Sequence, residues 1–234
     1  MDTPRAVPAS PPGDATGDVL VLDAAGAGCL VALVRDGRVV VERRSGETRG
    51  QAAILPAMVE AVLAEVGVRP AALALIGVIV GPGGFTGLRA ALSLAHGLAL
   101  ASGVPLVGVI AGEALAEEVH PPPGRALWVA QAWRRGHVYL ERDGAVTSFA
   151  LDTLPPPPGP VALAGESAAE IAAALRAGGA DALALDARWP GAAGLARAAL
   201  RRHRGGLPPR PAHPLYAEPP QARPAGSAVR PAPA

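Results

Sequence analysis

Apolar residues in this chain follow two spacings. Asp18–Ala24 (DVLVLDA) and Cys29–Arg35 (CLVALVR) are short, nearly unbroken apolar runs of strand length, as in strands covered on both faces. Asp36-Gly37 is a two-residue hairpin signal and leads into a third strand, Arg38–Arg44. Longer runs of helical length follow at Gln51–Val66 and Thr86–Ser102, with a strand at Ala74–Val80 between them. Pro105–Ile110 reads as another strand and Glu113–Val119 as a short helix. The predicted order is β-β-β-α-β-α-β-α.

Pro121-Pro122-Pro123-Gly124 interrupts the pattern. Beyond it, Ala126–Trp133, His137–Arg142 and Ala145–Leu151 read as three strands, with turns at Arg135-Gly136 and Asp143-Gly144. A stiff linker spans Pro155–Pro158 and Gly159-Pro160. Strands at Val161–Gly165 and Ala182–Asp186 then alternate with helices at Ala168–Ala177 and Gly194–His203. The second half repeats the first in reduced form. Two such halves predict an α/β chain of the actin-like, RNase H-like duplicated architecture. The expected division is a tail at 1–17, subdomains at 18–120 and 121–216, and a Pro/Ala-rich tail at 217–234.

The two long helices are too apolar for ordinary surface helices. In Gln51–Val66 only Glu60 and Glu65 interrupt a field of Ala, Leu, Ile, Val and Met, and Pro56 sits in its early part. In Thr86–Ser102 only Arg89, Ser93, His96 and Ser102 do so. One face can pack on a sheet, which leaves a second apolar face for a partner or for the other half of the chain. The side chains expected at a partner face are Ile54, Leu55, Met58, Val59 and Val62 on the first helix, and Leu88, Ala91, Leu92, Ala95 and Leu98 on the second.

Composition narrows the chemistry. All 21 basic residues are arginine; the 234 residues include no lysine and no asparagine, a pattern that GC-rich coding explains. A Walker lysine, a Schiff-base lysine and a lysine general base are thereby excluded. A net charge of +1 gives no bulk signature of a nucleic-acid binder. Cys29 is the single cysteine, so no internal disulfide can form, which fits a reducing compartment. Residues 1–17 have no apolar stretch of signal-peptide type and no run approaches membrane length, so a soluble, cytoplasmic protein is expected.

Gly81-Pro82-Gly83-Gly84-Phe85-Thr86-Gly87-Leu88-Arg89 joins a strand to a helix N-terminus. Such a loop is either a tight structural turn or an anion cradle, and it matches neither the P-loop nor the dinucleotide fingerprint. Flanked by LIGVIV and ALSLAHGLALASGVPLVGV, it strongly resembles the TsaB family. The resemblance runs from Val19 to about Arg223. It takes in Asp23 on the opening strand, the VALVRDG hairpin, Ile54-Leu55-Pro56, the Arg134-Arg135-Gly136-His137-Val138-Tyr139 stretch and Pro214-Leu215-Tyr216. The sequence departs from the family at Gly50-Gln51-Ala52-Ala53, where members often carry His, and at His137, where an acidic residue is usual.

The resemblance implies a non-catalytic subunit in the synthesis of threonylcarbamoyladenosine, the modification at N6 of the adenosine 3′ to the anticodon in tRNAs reading codons that start with A. The partners it implies are TsaD, through the two helices, the ATPase TsaE, and a second copy of the chain when TsaD is absent. TsaC-type enzymes supply the threonylcarbamoyl-adenylate, and tRNA is met only through the complex. It also implies that Gly81, Pro82, Gly83, Gly84, Phe85, Thr86, Gly87 and Arg89 form a structural loop, with no catalytic residue, cofactor or metal. The positions matching the metal-binding His-x-x-x-His of TsaD are Ala111 and Leu115, which cannot ligate. Two other readings compete: an enzyme of the same fold (a kinase or metallopeptidase), and a direct tRNA-binding module using Arg134, Arg135 and Arg201–Arg204.

Overall fold

Strand β1 (Val19–Asp23) pairs antiparallel with β2 (Cys29–Arg35), which pairs antiparallel with β3 (Arg38–Ser45). The Asp36-Gly37 turn has both residues at positive φ (50° and 75°), the hairpin geometry that this pair favours. On its other side β1 runs parallel to β4 (Leu75–Gly81), and β4 runs parallel to β5 (Leu106–Ile110). These strands form one five-stranded sheet in the order β3-β2-β1-β4-β5. The computed structural model describes residues 17–26, 28–47, 49–134 and 136–215. The two expected tails, apart from Gly17, lie outside these residues, as do Arg135 and Tyr216.

The second sheet repeats the plan. Its strands are β6 (Ala126–Arg134), β7 (His137–Arg142), β8 (Ala145–Ala150), β9 (Val161–Ala164) and β10 (Ala182–Ala184), in the order β10-β9-β6-β7-β8. Read from the other edge this is the first sheet's order, with β6 antiparallel to β7 and parallel to β9. Asp143-Gly144 forms the same positive-φ turn as Asp36-Gly37 (51° and 76°). The fold is the duplicated α/β actin-like architecture.

Both faces of the first sheet are covered, which explains the unbroken apolar runs. Leu20, Leu22, Val31 and Leu33 pack under helices α1 (Gln51–Val66) and α2 (Phe85–Ser102). Val19, Val21, Ala32 and Val34 face the opposite way, against α3 (Ala111–Ala116) and α5 (Ala192–His203). Glycines in the left-handed conformation end α1 at Gly67 and α2 at Gly103. Pro56 lies on the exposed side of α1, and the helix runs through it to Val66.

Helix α5 does not join the half that precedes it. Leu195, Ala196, Ala198 and Ala199 pack into the first sheet, while α4 (Ala168–Ala177) alone covers the outer face of the second. The expected boundary, which places 121–216 in one subdomain, therefore needs correction from Ala192 onward. The cause lies in the turn that follows α3. Glu118 accepts the N–H groups of Gly191 and Gly194, both at 2.8 Å, and so caps the start of α5. Glu117 takes Arg201 by its side chain and Arg197 by its carbonyl.

Candidate functional site

The glycine loop leaves β4 and enters α2 beside the β1–β2 turn. The Gly84 N–H donates to the Ala25 carbonyl at 2.7 Å. A Cβ on Gly83 would collide with that same carbonyl, and one on Gly87 with the carbonyl of Ala24. Only glycine permits this backbone approach. The approach also weighs against an anion, because the face presented by Gly83 and Gly87 is filled with carbonyl oxygens. The Gly81-Pro82 peptide is cis. Thr86 is exposed, and Arg89 stacks over the 55%-exposed ring of Phe85 at 3.8 Å.

Asp23, at the end of β1, accepts the Ala25 N–H at 2.8 Å. Burial raises its carboxyl above the usual range, while the Ala25 N–H and Arg44 pull it back. It borders a cavity of about 220 Å³ with Cys29, Arg44, Ser45 and Trp189. Trp189 reaches this turn from the β10–α5 connection, where a Cβ on Gly26 would lie 2.7 Å from the indole.

Ala111 and Leu115 lie on α3, buried in apolar clusters on its two sides. Among the described residues no group of three metal-ligating side chains occurs. The histidines include one pairing that the sequence spacing did not reveal. The rings of His96 and His213 stand 6.2 Å apart, and His96 Nε2 donates to the Ala212 carbonyl at 2.7 Å.

The expected partner face requires a correction. Leu55, Met58, Val59, Val62, Leu88, Ala91, Leu92 and Ala95 are buried inside the first half, and only Ile54 and Leu98 are half-buried. The large side chains gain most from burial and turn to the sheet, whereas alanine carries no polar group and tolerates either side. The outward surface of α1 is therefore mostly small-residued, with Ala53, Pro56, Ala57, Ala61 and Ala64 around Glu60, and it lies beside Arg89, Ser93, His96, Gly97 and Leu100 on α2. Leu100 is 84% exposed.

The sequence reading also missed a polar cluster between the halves. Glu113 of α3 is held by Arg202 of α5 at 2.6 and 2.9 Å, and Glu141 of β7 accepts the Gly112 N–H at 2.9 Å. Nothing in the local spacing linked residues 113, 141 and 202. The Arg201–Arg204 run proves not to be one basic patch, since Arg202 is 5% exposed and Arg201 is paired with Glu117. No helix among the described residues is long and apolar enough to cross a membrane.

Set beside known proteins, residues 48–188 match the model of the family described as TsaD: tRNA N6-adenosine threonylcarbamoyltransferase, and the chain belongs to that family. Two solved structures from Pseudomonas aeruginosa resemble it, each at 26% identity and over 86% of this chain. One is an uncharacterized protein with similarity to peptidase YEAZ (100% of that chain, TM-score 0.70). The other is YeaZ itself (99% of that chain, TM-score 0.67). No curated protein matches the sequence.

Proposed function

We propose that this chain is a TsaB-type, non-catalytic subunit that serves tRNA threonylcarbamoylation in the cytoplasm by docking TsaD, and TsaE with it. The observation that carries this reading is the outward face of α1 and α2. There Ala53, Ala57, Ala61 and Ala64 let a partner helix approach closely, and Leu100 stands free of the chain's own core. The family and the two YeaZ-like structures support the pathway. The apolar residues at Ala111 and Leu115 support a role without metal chemistry in this subunit. The same helical face would carry a second copy of the chain when TsaD is absent, and tRNA would be reached through the complex.

The experiment is co-purification of the full chain with TsaD, using outward substitutions. Ala57→Glu and Ala61→Glu should each leave the thermal melt within about 0.5 kcal/mol of the parent, since both sites face solvent. Each should abolish TsaD capture and lower threonylcarbamoyladenosine in tRNA measured by mass spectrometry. Unchanged capture by both folded variants would sink the docking assignment. Leu55 and Ala95 are unsuitable probes because both are fully buried, so a charge there would unfold the chain.

A further inference from the structure

Where β7 of the second half meets α3 of the first, two carboxylates and two guanidiniums are held largely out of water. Glu141 is 8% exposed. Its strand neighbours, Val129 on β6 and Val146 on β8, offer it no charge. Its Oε2 accepts the Gly112 N–H, and the carboxyl occupies the space that a Cβ on Gly112 would need. Glu113, one residue on, also takes the Ile110 N–H at 2.8 Å besides the fork of Arg202. Arg210 reaches Glu113 at 3.6 Å, and its buried Nε has no partner.

Arg210 belongs to a strap, residues 207–215, that lies along the edge of β5. Arg202 Nε donates to the Pro208 carbonyl at 2.8 Å, and the Gly108 N–H to the Arg210 carbonyl at 3.3 Å. The Leu215 N–H donates to the Val80 carbonyl at 2.8 Å. Val146 of β8 packs on the same apolar cluster as Ala212 and Leu215, so strap and second sheet close over one junction. The charged groups facing Glu141 are Glu113 from α3, Arg202 from α5 and Arg210 from the strap.

We propose that Glu141 is a proton-operated latch between the two halves: its protonated carboxyl keeps the β7–α3 contact closed, and loss of that proton shifts the contact toward an open form in which the carboxylate reaches water. Burial, then the neighbouring Glu113 charge, push Glu141 up to about 7, against the opposing pull of the Gly112 N–H, Arg210 and Arg202. The closed junction therefore binds the proton more tightly than an open, solvated one whose carboxyl titrates near 4.5. By linkage, opening is independent of pH below 4.5, rises with pH up to about 7 and is constant above it. The largest expected change is about 300-fold in the opening equilibrium.

The test is carboxyl NMR titration of Glu141 in the full chain, with amide hydrogen exchange at Gly112, the donor to Glu141, from pH 5 to 8.5, corrected for intrinsic base catalysis. A Glu141 midpoint near 7 is expected, with exchange opening rising by about two orders of magnitude. Glu141→Gln should remove that rise. A midpoint in the ordinary carboxylate range would overturn the latch, and so would a junction amide that opens no more readily than the central β1 amides at every pH, since the opening would then be global unfolding. Should Glu141→Gln fail to fold, the wild-type titration and the contrast between junction and β1 amides decide the matter alone.

Discussion

The two sheets share a strand order and differ in what covers them. The first lies between α1 and α2 on one side and α3 and α5 on the other, with apolar side chains on both faces. The second carries α4 on its outer face and turns the other toward α3 and the strap, where Val129 and Ala164 meet Leu115 but Glu141 meets Gly112. The duplicated strands thus supply two similar frames, and the placement of one helix makes them unequal. By crossing back, α5 completes the first half and leaves the second to use the first as its cover.

The strongest test of this inequality is Leu195→Asp. The residue is 1% exposed under the first sheet, and an unpaired carboxylate there should cost about 3–5 kcal/mol. Amide protection should fall in β1 and β2; a loss confined to β9 would break the comparison. The second test concerns the junction. Glu141 holds a proton in the folded chain between pH 4.5 and about 7 that the unfolded chain releases, so stability should decline across that window by about 3 kcal/mol. Urea melts at pH 5 and pH 8 check the sign, and Glu141→Gln should flatten the dependence.

Smaller effects separate the attachment of α5 from the interior of the second half. Glu118→Ala strips the cap from the Gly191 and Gly194 N–H groups and should cost about 1–2 kcal/mol in a thermal melt. Its effect on hydrogen exchange should again appear in the first sheet. Arg142→Gln removes a cation standing 5.1 Å from the Trp128 ring and 5.3 Å from that of Phe149. A loss of about 0.5–1 kcal/mol, with exchange changed only in β6–β8, is expected. Spread of that change into β1 would mean the halves are more tightly coupled than their separate clusters imply.

Much of the fold was legible because its signals are local. The Asp36-Gly37 and Asp143-Gly144 turns need positive φ, and only a short list of residues supplies it cheaply. Continuous apolar runs at 18–24 and 29–35 announced strands with no solvent face. The expected span of the first long helix, Gln51–Val66, matches the observed one. The glycine string was legible as a special loop, but not the carbonyls of Ala24 and Ala25 that its glycines accommodate.

The partner face was less legible for a physical reason. A helix apolar on every side has no periodic signal to orient it. The large residues Leu55, Met58 and Val62 drew the expectation outward, yet they bury the most area against a sheet and therefore turned inward. Their alanine neighbours, which carry little signal in a sequence, form the surface.

By itself, the sequence determined the elements, the duplication and the absence of lysine chemistry, since periodicity, turn residues and composition are properties of short segments. Tertiary structure alone decided where α5 packs, which side of α1 and α2 meets solvent, and that Glu113, Glu141, Arg202 and Arg210 share one buried junction. Those outcomes depend on area, volume and charge contributed by segments far apart in the chain, and no local pattern encodes such sums.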